Sequence, residues 1–277
     1  MAINYTTKYA SKIAERFKIG SLTDSACGHD YDFVGAKTIK VYSVDTVPLN
    51  DFNREAGSNR FGEVTNLGDS LQEMTCTQDK GFTFAIDAGD KSDQAIDKAA
   101  GKALRRQIDE VIVPTMDKYR LKAWCEGAGQ SLESTAEALT KNTIVGAIID
   151  LNAQMTDALV PLEGRTLFIP TSMYKLLKQN PDFISVDALG RKALSKGEVG
   201  EVDGCTVKPV PTSWMPEGVH FLIKYRNSTV DPVKLQHYDV LPKVQGFDGP
   251  VVQGRVYYDA FVLETKQNGV AVCKVGT

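Results

Sequence analysis

The sequence predicts an α+β protein in which a long polar hairpin and a long helix accompany a compact α/β unit. Two segments of alternating apolar and polar residues, 38–44 and 81–87, flank a polar, glycine-rich stretch. Apolar residues recur every three or four positions from Ser92 to Glu126, as in a helix with one buried face. Between Thr140 and Val240, helix-type and strand-type patterns alternate. The 277 residues suffice for one large domain or two medium ones.

The first 20 or so residues predict a short basic amphipathic helix. Lysines and arginines outnumber the single acid, Glu15. Such a helix docks on its own domain, or it forms an arm that packs on a neighbouring subunit. One apolar residue falls in every four: Tyr5, Tyr9, Ile13 and Phe17.

The next feature is a pair of strands joined by a long excursion. Segment 38–44 alternates as a strand, and Leu71, Met74 and Cys76 lead into a second strand at 81–87. The polar residues between them can bury little surface, so we expect a projecting hairpin. Because an isolated two-stranded hairpin is marginal in water, a partner chain is expected to hold it.

The helix from Ser92 to Glu126 would be roughly 50 Å long at 1.5 Å per residue. Pro114 should kink it, because proline removes a backbone donor and clashes one turn back. Gly127 and Gly129 should end it. The candidate N-caps are Asp90, Ser92 and Asp93.

The α/β unit should contain a helix at 142–159, a strand at 165–170 and a strand at 219–223. Thr171 or Ser172 is expected to cap a short helix that runs through Leu177.

The C-terminal part should be β. It contains a long strand at 254–264, a hairpin turn at Asn268-Gly269 and a last strand at 270–273.

Composition and motifs argue against several classes of function. The net charge of −3 comes from intermixed acids and bases, unlike a strongly basic nucleic-acid binder. No stretch reaches the length of a signal peptide or a membrane helix. The five cysteines are scattered, which predicts free, mostly buried thiols.

We expect no catalytic, cofactor-binding or metal-binding residue, and therefore no enzyme. Each histidine, at positions 29, 220 and 237, stands alone, and no hydrolase elbow, phosphate loop or dinucleotide fingerprint appears. Asp87, Asp90, Asp93 and Asp97 depart from the EF-hand pattern and are interpreted as carboxylates at a helix start.

Four segments resemble the major capsid proteins of tailed bacteriophages, as found in phages and prophages of Gram-positive bacteria. They are 37–49, 72–75, 100–110 and 253–261. The order of arm, polar hairpin, long helix, α/β unit and returning strands is also similar to that family. The resemblance implies the Hong Kong 97-type capsid fold.

The resemblance further implies a division of the chain. It gives an N-terminal arm at 1–35, an extended loop lying over an adjacent subunit at 36–88, a spine helix of the peripheral domain at 89–134, an axial domain at 135–230, peripheral strands and a loop at 231–265, and a C-terminal strand returning to the axial domain at 266–277. The candidate inter-subunit contacts are Tyr5, Tyr9, Phe17, Arg54, Asn59, Arg60, Phe61, Gln245, Phe247 and Asp248.

The expected partners are copies of the chain itself, in hexamers, pentamers and a complete icosahedral shell. A separate scaffolding protein, a portal and non-specifically bound double-stranded DNA are also expected, and no membrane. The expected location is the virion, after synthesis in the bacterial cytoplasm. Alternatives are an encapsulin-like compartment shell, an unrecognised α/β hydrolase, and another virion or tail-tube protein.

Overall fold

A computed structural model describes residues 20–28, 38–55, 57–64, 66–86, 100–134, 139–180, 200–241, 244–246 and 248–276. The strands are β1 (Thr38–Val44), β2 (Asp69–Thr75), β3 (Gln78–Ala85), β4 (Gln130–Ser134), β5 (Arg165–Pro170), β6 (Glu201–Val202), β7 (Cys205–Val210), β8 (Val219–Tyr225), β9 (Thr229–Val230), β10 (Val233–Leu241), β11 (Val251–Tyr258), β12 (Phe261–Val262) and β13 (Val270–Val275). The α-helices are α1 (Ala100–Gln107), α2 (Val113–Glu126), α3 (Ile144–Asp157) and α4 (Thr171–Lys178).

A six-stranded sheet in the order β4-β13-β8-β5-β7-β6 forms the centre of the α/β unit. Strand β5 lies parallel to β7 and antiparallel to β8, and β13 lies parallel to β4. The apolar stripe of α3 is completely buried against this sheet, which confirms the helix predicted at 142–159. Helix α4 starts at Thr171 without a side-chain cap, so the capping predicted for Thr171 or Ser172 is wrong; the Thr171 hydroxyl lies 3.0 Å from that of Thr212.

The long helix is continuous over residues 100–126, and its predicted end is confirmed at Gly127, whose N–H bonds to the Ala123 carbonyl. A π-helical turn, Ile108–Ile112, directly precedes the segment that contains Pro114. This wider turn accommodates a residue that cannot donate to the preceding turn. The predicted N-caps and the acidic cluster at 87–97 lie outside the described residues.

A three-stranded sheet, β10-β11-β3, corrects one part of the strand prediction. The strand predicted at 81–87 belongs to this sheet, where β3 pairs with β11 and not with β1. The predicted strand at 254–264 is interrupted at Asp259, between β11 and β12. The buried Asp259 carboxylate accepts hydrogen bonds from the N–H groups of its neighbour Ala260 and of the distant Thr77. Asn268-Gly269 lies in a 3-10 segment, and β13 pairs with β4 and β8, so the hairpin predicted there is wrong.

The polar hairpin is formed by β1 and β2, from Thr38 opposite Thr75 to Val44 opposite Asp69. Sequence alternation did not reveal β2, because only Met74 of that strand is buried. The base of the hairpin, which contains Ile39, Val41 and Met74, packs on Val230 and Leu263. The hairpin thus rests on the rest of the molecule at one end.

Candidate functional site

The hairpin carries an unusual share of exposed apolar surface. Nine of the sixteen strongly exposed large apolar side chains among the described residues lie between positions 42 and 71. Leu49, Phe61 and Val64 are each more than four-fifths exposed. A concentration of exposed apolar residues in one element is typical of interaction sites. The residues are Tyr42, Val44, Val47, Leu49, Phe52, Phe61, Val64, Leu67 and Leu71.

The distal part of the hairpin keeps a defined shape. The Asn53 N–H donates to the Arg60 carbonyl at 3.1 Å, and the rings of Phe52 and Phe61 meet edge-on with centroids 5.0 Å apart. Asn59 adopts the left-handed conformation at φ 53°, which asparagine tolerates in tight turns. The structure therefore brings Arg54, Asn59, Arg60 and Phe61 together at the tip.

The other predicted contact residues fall elsewhere. Gln245 and Asp248 are exposed in the connection between β10 and β11. Tyr5, Tyr9, Phe17 and Phe247 lie outside the described residues.

A cleft of about 310 Å³ opens where α2, the three-stranded sheet and the segment before β8 meet. Tyr119, Trp214, Met215 and Tyr258 supply half-buried or buried apolar surface, whereas three lining lysines are exposed. We call it the lysine-rimmed cleft. The lysines are Lys80, Lys118 and Lys122.

A buried carboxylate fixes residues 20–28, which we call the root segment, to the long helix. Asp117 on α2 is fully buried and accepts hydrogen bonds from the Ser21 hydroxyl and the Leu22 N–H, both at 2.8 Å. The Thr23 hydroxyl donates to the same carboxylate at 2.6 Å. Arg120, one turn further on, donates to the Thr23 hydroxyl at 3.1 Å. A buried carboxylate needs this many donors to offset its lost hydration.

A second buried carboxylate, Asp231, follows β9. The Trp124 indole N–H donates to it at 2.7 Å, and the Lys224 ammonium lies 3.9 Å away. Lys224 also donates to the Ala26 carbonyl and lies 4.3 Å from the centre of the Trp124 ring. Burial lowers the pKa of Lys224, and the charge of Asp231 opposes that shift.

A third buried carboxylate, Asp259, joins the long helix to the start of β3. Tyr119 donates its hydroxyl to Asp259 at 2.7 Å, and the Thr77 N–H donates at the same distance. Burial, together with the bond to Asp259, raises the pKa of Tyr119 to about 12. The three aspartates therefore organise the interior and are closed to solvent.

Solved structures provide the decisive comparison, since no family model and no curated protein sequence matches the chain. A structure from Mycobacterium phage Che8 superposes with a TM-score of 0.78 at 15% identity, covering 96% of this chain and 95% of that one. The capsid structure of cyanophage P-SCSP1u gives 0.78 at 14% identity, with 98% and 93% covered. The capsid of an empty GTA particle gives 0.68 at 10% identity, with 96% and 100% covered.

The chain has the Hong Kong 97-type capsid fold. This confirms the fold that the sequence predicted. In this chain the hairpin of β1 and β2 precedes the long helix.

Sequence reasoning missed the buried aspartates of this capsid fold. Asp117 and Trp124 are two helical turns apart and share the buried face of α2 with Leu121. That spacing is a usable signal of a buried acid on the apolar face of the helix. The π turn ahead of Pro114 changes the helical register, so the apolar stripe before it does not predict the buried face after it.

The described residues lack two further features. None of their helices is both long and apolar enough to cross a membrane. They also contain no group of three or more histidine, cysteine, aspartate or glutamate side chains placed to hold a metal ion.

Proposed function

We propose that this chain is the major capsid protein of a tailed bacteriophage, which assembles into the hexamers and pentamers of an icosahedral shell around double-stranded DNA. The capsid fold over nearly the whole chain carries the proposal. Its role is structural and not enzymatic, and its location is the virion after synthesis in the host cytoplasm. A separate scaffolding protein and a portal complete the proposed set of partners.

The hairpin is evidence for assembly, because its exposed apolar residues would be stabilised by burial against a partner surface. Residues 45–69 also carry five acids and only two bases, with no lysine. A second copy of the chain offers the complementary surface in its lysine-rimmed cleft, whose apolar walls and exposed lysines suit an acidic, apolar ribbon. We therefore propose that the hairpin packs over the long helix of the adjacent subunit.

The hydrolase alternative finds less support. It requires a concave pocket with paired acid and base groups. The described residues that line the lysine-rimmed cleft include neither a carboxylate nor a histidine, and those that line the larger open groove along β3 and β11 include Asp239 but no histidine. The encapsulin-like alternative shares the shell-forming role, and co-purification of a cargo enzyme would distinguish it.

Negative-stain electron microscopy of the purified chain, alone and together with any scaffold gene encoded beside it, tests the proposal. Closed shells or isolated rings are expected. A chain that stays monomeric under both conditions would contradict the proposal.

Removal of the hairpin tip tests the assigned contact. A variant that lacks residues 53–67 should fold, because the buried base of the hairpin remains, but it should not assemble. Leu49→Asp and Val64→Asp should act in the same direction, whereas the matched changes Leu49→Met and Val64→Ile should assemble. Closed shells formed by the deletion variant would refute this role.

A further inference from the structure

Strand β9 lies between the root segment and the hairpin base. On its root side, the Gly28 N–H donates to the Asp231 carboxylate at 3.3 Å, and the Asp231 N–H donates to the Gly28 carbonyl at 3.4 Å. A Cβ atom at position 28 would lie 1.9 Å from the Thr229 carbonyl oxygen. The two backbones are thus in direct contact, with no space for a side chain between them.

On its other side, β9 supports the hairpin. Val230 is 1% exposed and packs in one cluster with Ile39 and Met74 of the hairpin strands. Hydrogen bonds strengthen this contact through β12, the pairing partner of β9. The Gln72 side chain donates to the Val262 carbonyl at 3.3 Å and accepts from the Glu264 N–H at 3.1 Å.

The buried charge of Asp231 makes these two contacts interdependent. Its carboxylate also accepts from the Thr229 hydroxyl at 2.5 Å, next to the fully buried Lys224. A shift of β9 that follows the hairpin moves Asp231 away from Gly28 or from Lys224. Either loss leaves a buried charge with fewer partners, which is strongly unfavourable.

We propose that β9 and Asp231 couple the root segment to the hairpin, so that loosening either one loosens the other. The coupling joins two parts of the chain that approach β9 from opposite sides. Because coupling between sites is reciprocal, loosening the hairpin must loosen the root segment, and loosening the root segment must loosen the hairpin. The proposal concerns the single subunit and does not depend on shell formation.

Hydrogen–deuterium exchange of unassembled full-length subunits tests the coupling. Met74→Ala opens the hairpin base and should accelerate exchange in peptides covering residues 24–28 by about tenfold. Asp117→Asn loosens the root at Ser21–Thr23 and should accelerate exchange at Ile39–Val41 by a similar factor. Phe61→Ala at the hairpin tip is the control and should leave residues 24–28 unchanged.

A milder variant tests the coupling in case Met74→Ala unfolds the subunit. Gln72→Ala removes the hydrogen bonds to Val262 and Glu264 without opening a cavity, and it should give the same effect at Gly28 in smaller measure. The proposal is overturned if Met74→Ala and Gln72→Ala accelerate exchange in the hairpin alone, with protection at residues 24–28 unchanged. Equal acceleration by Phe61→Ala would also overturn it.

Discussion

His220 is a buried imidazole whose Nε2 atom has no hydrogen-bond partner within the described ranges of the chain. Burial lowers the pKa of this histidine below its ordinary value, because the charged form would lose its hydration. The unfolded chain therefore takes up a proton at a higher pH than the folded chain does. The contribution to stability is complete above about pH 6.5 and declines as the pH falls below that value.

Urea unfolding at pH 7.5 and pH 5.5 measures this contribution. The free energy of unfolding of the wild type should be lower at pH 5.5 than at pH 7.5. The His220→Leu variant should show a smaller decrease in that free energy over the same pH change. Phe221→Leu, a change on the same strand that keeps the imidazole, should retain the wild-type decrease. Parallel pH profiles for the wild type and His220→Leu would contradict the assignment.

The two ends of the hairpin differ in how firmly the rest of the subunit holds them. Its base is buried, whereas the described residues between 45 and 67 are almost all exposed. Few buried apolar contacts mean a low free energy of local opening. The strand pairing alone cannot supply the missing stability.

Amide exchange in subunits and in shells should report this difference. In free subunits, amides near Val44 and Asp69 should exchange faster than those near Ile39 and Met74. In assembled shells, exchange at Val44 and Asp69 should slow by about tenfold or more as a neighbour covers the ribbon. Unchanged exchange there after assembly would place the hairpin outside the subunit interface.

At the scale of the whole molecule, the burial of all five cysteines gives a simple measure of integrity. Burial raises the pKa of Cys125 to about 12 and that of Cys76, Cys205 and Cys273 to about 11. Burial likewise raises the pKa of Cys27. Thiolates are the reactive species, so folded subunits at pH 8 should resist a thiol reagent.

Five thiols should react once the chain is unfolded in guanidinium chloride. The rate of labelling in dilute denaturant should follow the unfolding rate. Immediate labelling of the native protein would show that the interior is open. Mass spectrometry of labelled peptides would then identify the exposed cysteine.

The sequence predicted elements whose stability is local or whose burial is periodic. Strands β1 and β5 and the apolar stripe of α3 fall where alternation or helical spacing placed them. Strand β2 was not predicted, because pairing with β1 makes it a strand and its own sequence does not alternate between apolar and polar residues. The buried aspartates were not predicted because their partners are distant in sequence: Thr23 and Asp117 differ by 94 in residue number, and Gly28 and Asp231 differ by 203.

The position of β13 in the central sheet has a consequence for synthesis. This strand lies between β4 and β8, although it leaves the ribosome after every other strand described. Until residues 270–275 emerge, β4 has no strand beside it and the apolar face under α3 lacks Ala271 and Cys273. Pairing between distant segments is slow. A nascent chain therefore cannot complete its central sheet before residues 270–275 have emerged, and a chain truncated before Val270 would keep an open core.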